Sequence, residues 1–390
     1  MSPFDVPQPV VDLLRILHRH GYEAVIVGGS VRDALCGRPV RDWDLATSAD
    51  AASLLRALPR AVPIGGSHGT VMVPTAVGPV DVSPYRAADL AGDLAHRDFT
   101  IDAIAWHPER GFVDPTEGRA DLAASRLRTP GRPEDRLGED PLRALRAARL
   151  VAAFGVVPDA ALEQTLPRSA EALARVAAER VRAELDRLLE APHRGDGVRL
   201  LRRTGLEAVL VPEAQADCAD LLDALPAGRD LGLAAWLRGT RAPRILGRWR
   251  FPHARARQVE RVVRLHPVDA AFHTDAGARR LRTRAKDEAT LRDALTLCRA
   301  QRRLAGDDLA RLEALEAALD RTRGHAITVA ALALTGRDVI EVLGVPPGPE
   351  VGRALRALLE RVIEDPSLNE PQKLRALLRE GPQTGPRGVG

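Results

Sequence analysis

The sequence predicts an α+β multidomain protein, in which a head built from a mixed β-sheet and helices is followed by an all-α remainder. Strand-like and helical segments alternate over residues 1–130, whereas the strand signal disappears from Glu139 onward. The chain has 390 residues and a mass of 42.1 kDa, which is more than one ordinary core requires. Its hydrophobic content of 45% is typical of a folded globular protein.

The elements of the head follow from hydrophobic periodicity and from the positions of glycine and proline. Apolar residues three and four apart predict helices in VVDLLRILHRHG, SVRDALCG, ADAASLLRALP and DFTIDAIAWHP. Alternating or continuous apolar runs predict strands in EAVIVGG, WDLAT, HGTVMVP, PVDVSPY and GFVDP.

Helical runs broken by Gly and Pro fill the rest of the chain to about Glu380. Examples are EDPLRALRAARLVAAFG, AEALARVAAERVRAELDRLLE and GVRLLRRTGLEAVLVPE. The last ten residues, GPQTGPRGVG, predict a disordered C-terminus over 381–390.

The charge composition points weakly to nucleic acid. The formal charge is +4 and the isoelectric point is about 9.4, with Arg supplying nearly all cationic side chains. Guanidinium forks suit phosphates and base edges, although a codon preference for Arg explains the bias equally well. Aromatic residues make up only 3%, so stacking platforms for bases are not expected to dominate binding.

The cysteines and the N-terminus favour a soluble, cytoplasmic protein. Cys36, Cys218 and Cys298 lack the spacing of a zinc site or a disulfide scaffold, which fits a reducing compartment. The segment MSPFDVPQPV lacks the features of a signal peptide. No run approaches the roughly 20 apolar residues that span a bilayer, so no membrane association is expected.

The densest chemical signal is VIVGGSVRDALCGRPVRDWDLATS. A strand runs into Gly28 and Gly29, and a helix is expected to begin at Ser30. Such a turn lets backbone approach a ligand, and free N–H groups at the helix start attract phosphate. Arg32, in the first helical turn, is placed to reach a triphosphate.

Asp42 and Asp44 add a candidate metal site. Residues two apart in a strand share a face, so both carboxylates would point together while Trp43 points away. Such a pair repels unless a cation lies between them, and hard oxygen ligands suit Mg²⁺. A solvated acidic loop is the alternative for the pair alone, but the phosphate-type turn upstream favours the metal. Asp81, in PVDVSPY, is either a third inward acid or a solvent-facing edge residue.

Several ordered motifs resemble the class II tRNA nucleotidyltransferases, a family that includes CCA-adding, CC-adding and A-adding enzymes and bacterial poly(A) polymerases. They are GGSVRD, DWDLATS, GGSHGTVMV, VDVSPYR, HRDFTIDAIAW, GFVDPTEGRADL, EDPLRALRAARL, AERVRAELDRLL, GVRLLRRTGLEAVLVPE and LTGRDVIEVLGVPPGPEVGRALRALLERVIEDPSLNE. Only about 214–329 carries no recognised motif.

The resemblance implies a domain order: a catalytic nucleotidyltransferase head (1–130), a helical neck with a nucleotide-base template (131–194), a helical body (195–270) and a helical tRNA-binding tail (271–380).

The resemblance also implies roles for individual residues of the head. Asp42 and Asp44 would hold catalytic Mg²⁺, with Asp81 as a further catalytic acid, and Gly29, Ser30 and Arg32 would bind the triphosphate. Arg97 and Asp98 would contact the nucleotide and select its ribose, and Asp114, Asp121 and Arg128 would form the hinge between head and neck. This chain departs from the family at His96, Asp102 and Glu117, where Arg, Asn and Gly are usual.

The neck helix carries arginines at every third position, at Arg143, Arg146 and Arg149. Each step drifts about 60° around a helix, so they span an arc that also contains Leu142 rather than a simple solvated face. Taken alone, the pattern predicts a surface helix with ion pairs. The resemblance implies that Asp140 and Arg143 present a template to the incoming base while Arg146 and Arg149 bind the nucleotide. A carboxylate can accept from the cytosine amino group, and an Arg can donate to its O2 and N3.

The interval between Arg86 and His96 bears on which nucleotides are added. Only AADLAGDLA lies there. In the full CCA-adding members of the family that this chain resembles, the corresponding interval is a much longer flexible loop. The short interval implies a CC-adding enzyme that uses CTP and tRNA, with a separate A-adding enzyme completing the end. A full CCA-adding enzyme using CTP and ATP is the alternative. An A-adding enzyme, a poly(A) polymerase or a catalytically silent RNA-binding protein fits less well.

Overall fold

A seven-stranded mixed sheet organises the N-terminal part of this computed structural model, which describes residues 5–64, 69–268 and 274–380. In chain order the strands are β1 Ala24–Val27, β2 Trp43–Thr47, β3 Val62–Pro63, β4 Val71–Thr75, β5 Gly78–Pro84, β6 Ala105–His107 and β7 Gly111–Val113. Their spatial order is β3-β4-β5-β2-β1-β6-β7. Only β2 and β5 pair in parallel, so the sheet is mixed as predicted.

The helices around this sheet match most of the predicted ones. They are α1 Gln8–Arg19, α2 Gly29–Leu35, α3 Ala51–Ala57, α4 Leu90–Ala95 and α5 Gly118–Ala123. Helix α2 begins at Gly29, one residue earlier than expected. The predicted motif residues 65–68 lie outside the described residues.

Strand alternation gives the sheet two different faces. Trp43, Leu45, Val80 and Val82 belong to the large apolar core on one face. Ala46 belongs to a smaller cluster on the other face, together with Leu90 and Leu94 of α4. Residues between the large-core positions, including Asp44 and Asp81, therefore lie on the face of the smaller cluster.

The prediction of a helix over DFTIDAIAWHP was wrong. Thr100–Asp102 forms one 3₁₀ turn, and Ala105–His107 is the strand β6. A short apolar run does not distinguish a helix from a buried strand by periodicity alone. Pairing of β6 with both β1 and β7 decides the outcome, because the strand completes the backbone hydrogen bonds of its neighbours.

The remainder is helical, as predicted, apart from one short pairing. Strand β8, Arg126–Leu127, pairs in parallel with β9, Val157–Pro158, although no strand was expected beyond Glu139. The helices up to Ala214 are α6 Pro133–Glu139, α7 Leu142–Phe154, α8 Ala160–Thr165, α9 Ala170–Leu173, α10 Ala178–Glu190, α11 Arg194–Arg203 and α12 Leu206–Leu210.

The chain divides into two compact units after Ala214, with Arg248–Arg250 belonging to the first unit. The helices that follow are α13 Cys218–Ala224, α14 Arg229–Leu237, α15 Ala242–Arg248, α16 His253–Leu265, α17 Asp275–Ala285, α18 Glu288–Ala305, α19 Ala310–Arg321, α20 Gly336–Leu343, α21 Pro349–Glu364 and α22 Pro371–Glu380. The finer division into head, neck, body and tail stays a prediction. The expected boundary at 270/271 and the expected disordered segment 381–390 lie outside the described residues. No described helix combines the length and apolarity needed to cross a membrane.

The residues assigned to the hinge lie together beside the sheet. The Asp121 carboxylate is fully buried and accepts hydrogen bonds from Thr100 Oγ1 at 2.6 Å and from Arg128 Nε at 2.8 Å. Asp114 accepts from the backbone N–H groups of Gly118 and Arg119 at 2.7 and 2.9 Å, which caps the start of α5. Burial opposes ionisation of Asp121, but these donors hold its pKa below the usual value.

Glu117, between these two acids, has a left-handed backbone with φ 62° and ψ 30°. An L-residue with a Cβ costs about 1–2 kcal/mol there, and glycine does not. The residue therefore keeps a conformation suited to glycine, which the family resemblance implies at this position.

We expect Glu117→Gly to raise the free energy of unfolding by about 0.5–1 kcal/mol, because relief of the left-handed strain exceeds the added entropy of the unfolded chain. Urea unfolding at pH 7 measures this change in the free energy of unfolding. Glu117→Ala is the matched control, since it removes the exposed carboxylate but keeps the Cβ, and it should bring no gain. Equal stabilities of the Gly and Ala variants would contradict the interpretation.

Candidate active site

The turn between β1 and α2 forms one wall of the site. Gly28 has φ 74° and ψ −134°, a backbone conformation that glycine adopts without strain, and a Cβ on it would lie 2.6 Å from Arg97 Nη1, so the guanidinium would have to move. Ser30 Oγ donates to the Val27 carbonyl at 2.9 Å, which ties that buried side chain to the turn. A contact from Ser30 to a ligand would therefore involve its backbone N–H.

Arg32 is held by acids rather than left free. Its guanidinium donates to Asp33 Oδ1 from Nε at 3.0 Å and from Nη2 at 2.8 Å, and Nη1 donates to Asp102. Only 6% of the residue is exposed. The Asp102 carboxylate, where the family usually has an amide, thus gives Arg32 a second negative partner.

The three acids predicted for catalysis lie at one end of the parallel strand pair. Asp44 and Asp81 are register partners on β2 and β5, and Asp42 precedes β2 by one residue. Burial, together with the neighbouring Asp81 and Asp42 carboxylates, raises the pKa of Asp44 to about 6 against the opposing effect of Arg97. Trp43 packs into the large core on the opposite face, as the alternation predicted.

The Asp42 and Asp44 carboxylates fit a divalent cation whose remaining ligands would be oxygen atoms of the substrate. Asp42 and Asp44 accept no hydrogen bond from any other described side chain, and a cation would relieve the repulsion between them. Within the described residues no group of three or more His, Cys, Asp or Glu side chains is arranged to hold a metal. Two carboxylates plus substrate phosphates are the arrangement that Mg²⁺ commonly uses.

Two cavities of the first unit collect the predicted residues. The first, which we call the Asp44 cavity, has a volume of about 770 Å³. Its lining is rich in both signs of charge: Gly28, Gly29, Ser30, Arg32, Asp33, Arg38, Pro39, Arg41, Asp42, Asp44, Arg86, Arg97, Asp98, Asp102, Arg146, Arg149, Glu184, Arg187 and Glu190. Asp81 is not among these residues, so its catalytic role stays a prediction.

The second cavity, the Asp140 cavity, has a volume of about 810 Å³. It is lined by Arg86, His96, Arg97, Asp98, Glu139, Asp140, Pro141, Arg143, Arg146, Val176 and Arg180. Arg86, Arg97, Asp98 and Arg146 line both cavities, which places the two side by side.

Paired charges hold α7 against the head at this junction. Arg146 Nη1 donates to Asp98, and its Nε lies 3.4 Å from Glu184 Oε1 on α10. Arg149 Nε lies 2.6 Å from Glu184 Oε2. Arg146 and Arg149 are thus paired with acids that are mostly buried, which agrees with the expectation that the arginines of α7 do not form a simple solvated face. The Arg146 guanidinium outweighs the effect of burial and holds the pKa of Asp98 below its usual value.

Asp140 and Arg143 occupy the junction of α6 and α7. Asp140 Oδ1 accepts from the Leu142 N–H at 3.1 Å, and its Oδ2 pairs with Arg180 Nη2 at 2.6 Å. Arg143 donates to Glu139 Oε2 at 2.7 Å and to the His96 carbonyl at 3.3 Å. Both polar groups are therefore oriented within the Asp140 cavity before any ligand arrives.

The structure adds site residues that the sequence prediction missed, among them Arg38, Arg86, Arg180 and Glu184. Glu184 had a usable signal, because it lies on the apolar stripe of α10 between the buried Val181 and Leu188. An acid at helical spacing among apolar residues predicts a buried cationic partner. Arg38 and Arg86 follow the ends of regular elements and gave no comparable signal.

Three family models match the chain in order. They are the Poly A polymerase head domain over residues 24–128, the "Probable RNA and SrmB- binding site of polymerase A" over 157–218, and tRNA nucleotidyltransferase domain 2 over 232–378. The first covers the sheet and the β1–α2 turn, and the other two cover most of the helical remainder beyond α7.

Individual relatives match over nearly the whole length. The CCA-adding enzyme of Geobacillus stearothermophilus is 32% identical over 413 aligned positions, with 97% of this chain and 98% of that protein covered. The CC-adding tRNA nucleotidyltransferase of Shouchella clausii is 32% identical over 373 positions, with 94% and 96% covered.

Solved structures show the same fold. The Bacillus stearothermophilus CCA-adding enzyme in complex with CTP superposes with a TM-score of 0.78 at 29% identity, covering 97% of this chain and 98% of that one. The Thermotoga maritima CCA-adding enzyme complexed with tRNA gives 0.70 at 19% identity over 96% of each chain, which is a likeness of fold. Because full-length relatives are 32% identical and three models of this family match the chain in order, the chain belongs to the tRNA nucleotidyltransferase and poly(A) polymerase family and is a tRNA nucleotidyltransferase.

Proposed function

We propose that this enzyme adds two C residues from CTP to the 3′ end of immature or damaged tRNA and then stops. The observation that carries the proposal is the ordered segment between Arg86 and His96, the first of which lines both cavities. A full CCA-adding enzyme that uses CTP and ATP is the second candidate.

The chemistry is nucleotidyl transfer in the Asp44 cavity. Asp42 and Asp44 would hold Mg²⁺ there, which would supply the positive charge that favours ionisation of the attacking 3′-hydroxyl and departure of pyrophosphate. The cavity's arginines place positive charge around the triphosphate, and the β1–α2 turn offers backbone N–H groups. Reaction then depends mainly on holding the hydroxyl and the α-phosphate in line.

Base selection would take place in the Asp140 cavity. A carboxylate at Asp140 accepts from the cytosine amino group, and the Arg143 guanidinium donates to the O2 and N3 atoms. Arg180 and Glu139 already orient these two groups, so little ordering remains when the base binds. A base with the opposite donor pattern would leave buried polar groups unpaired, which weakens its binding.

The segment over residues 87–95 supports the two-C limit. Instead of a flexible loop it contains α4, whose N-cap Asp89 accepts from the Gly92 N–H at 2.7 Å. Leu90 and Leu94 are buried against the sheet, and Asp93 accepts from the Arg86 N–H at 3.0 Å. A segment fixed in this way offers no movable element to reshape the pocket for ATP.

The lengths of the alignments also favour an enzyme that stops after two C residues. The alignment with the CCA-adding relative spans 413 positions, more than the 390 residues of this chain, so that relative carries residues that are missing here. The CC-adding relative aligns over 373 positions at the same identity.

A catalytically silent RNA-binding protein fits poorly, because the acids and arginines needed for transfer converge on one cavity.

We expect the enzyme to extend a tRNA transcript lacking CCA by two C residues and to stop, even with ATP present. It should also fail to extend a transcript that already ends in CC. Gel analysis of transcripts ending before, within and after CC, each with CTP, ATP or both, measures the products. Grafting the longer loop of a CCA-adding relative between Arg86 and His96 should restore some A addition. Efficient A addition by the unmodified enzyme would replace the proposal with the full CCA-adding function.

Arg143→Ala should reduce the preference for CTP over UTP, measured as the ratio of kcat/KM values, by about tenfold, because the cytosine edge loses a donor. Arg146→Ala is the matched control on the same helix, and it should lower both kcat/KM values by similar factors. Since Arg143 also bonds to the His96 carbonyl, thermal unfolding of each variant accompanies the kinetics. An unchanged CTP preference in Arg143→Ala with weaker triphosphate binding would make Arg143 a phosphate ligand.

Asp44→Asn should abolish incorporation while tRNA binding survives, and it should also stabilise the metal-free protein. The folded-state pKa of about 6 lies above the unfolded value of 3.8, so the folded state favours the protonated acid and loses stability as pH rises from about 4 to about 6. Removing the charge should therefore add about 1–3 kcal/mol at pH 7 and progressively less toward pH 4. Urea unfolding in EDTA across this range measures the gain.

The exposed Asp42 provides the comparison: Asp42→Asn should lose activity with little change in stability. Near-normal turnover in either variant would exclude the metal assignment.

A further inference from the structure

Arg38 is an exposed arginine in the connection from α2 to β2, and it lines the Asp44 cavity. Among the described residues it has no carboxylate partner, unlike Arg32, Arg146 and Arg149, which line the same cavity. Its positive charge is therefore not offset by a neighbouring acid.

Two contacts from the end of α7 fix its position. The Arg38 guanidinium carbon lies 4.1 Å from the ring centroid of Phe154, and its Nη2 donates to the Ala153 carbonyl at 2.7 Å. A guanidinium over an aromatic face is attracted by the ring and loses part of its rotational freedom. The remaining N–H groups stay available to a ligand in the cavity.

Arg32 shares the same ring but differs in charge environment. Its guanidinium carbon lies 4.4 Å from the Phe154 centroid, yet the group is buried and already bonded to Asp33 and Asp102. An anionic phosphate gains little from a cation that two carboxylates already neutralise. Phe154 thus orders two arginines, of which Arg38 is the one with unpaired charge.

We propose that Arg38 binds the phosphate chain of the incoming nucleotide and that Phe154 is a positioning residue that holds Arg38 toward the cavity. This inference rests on the proposed function only in taking the Asp44 cavity as the triphosphate site. It is independent of whether the enzyme stops after CC.

The test uses the full-length enzyme, a tRNA acceptor, CTP and pyrophosphate as an inhibitor that carries phosphates without a base. Arg38→Ala should raise both the KM for CTP and the inhibition constant of pyrophosphate by about tenfold, because a charge-assisted hydrogen bond is lost. The KM for tRNA should not change. Arg60→Ala, which removes an exposed arginine outside both cavities, should leave all three constants unchanged.

Phe154→Leu tests the positioning role. It should raise the same two constants by about threefold, with little change in kcat, whereas Phe154→Tyr, which keeps the ring, should restore them. In an Arg38→Ala background the effect of Phe154→Leu should shrink, since the residue acts largely through Arg38. An unchanged pyrophosphate constant in Arg38→Ala would overturn the phosphate role. A loss of kcat or folded protein in Phe154→Leu without a change in either constant would make Phe154 purely structural.

The enzyme could add something other than two C residues while Arg38→Ala still raises the KM for CTP and the inhibition constant of pyrophosphate. That result would contradict CC addition but would support the role of Arg38. If Phe154→Leu does not fold, Phe154→Met takes its place in the same comparison, and the Arg38 variant decides the phosphate role by itself.

Discussion

The pairing of Asp98 with Arg146 is the contact on which the site depends. Asp98 follows α4 in the chain, Arg146 lies on α7, and both line both cavities. The pair therefore fixes the distance between the carboxylates of the sheet and the polar groups at the start of α7. Because each charge is largely buried, removing one partner would leave the other without compensation, which is far more costly than losing an exposed pair.

Opposite requirements meet in the Asp44 cavity. A cation site needs acids that are not neutralised by arginine, and a triphosphate site needs arginines that are not neutralised by acids. The structure separates the two by pairing selectively: Arg32, Arg146 and Arg149 have acidic partners, whereas Asp42 and Asp44 accept no hydrogen bond from a described side chain. The raised pKa of Asp44 reflects the cost of keeping such a carboxylate half-buried. Functional residues often carry a cost of this kind.

The segment over residues 87–95 is short and held in place by its own contacts. A long loop could move between nucleotides, but nine residues with a capped helix and two buried leucines have few alternatives. The same residues anchor Arg86 and Arg97, which line both cavities, through the Asp93 carboxylate. One short element thereby positions two arginines that line both cavities.

The sequence by itself determined the order of most elements, the glycine turn, the placement of Asp44 on the strand face opposite Trp43, and the motifs of the family. Each of these depends on local periodicity or on residues close in the chain, which is why they could be predicted. Tertiary structure alone decided that Ala105–His107 is a strand, because its hydrogen-bond partners lie on β1 and β7. It also decided which arginines are neutralised: Arg32 meets Asp102 across 70 residues, and Arg38 meets Ala153 across 115. Charge pairing at such separations depends on how α2, α7 and the sheet pack, and no local pattern encodes it.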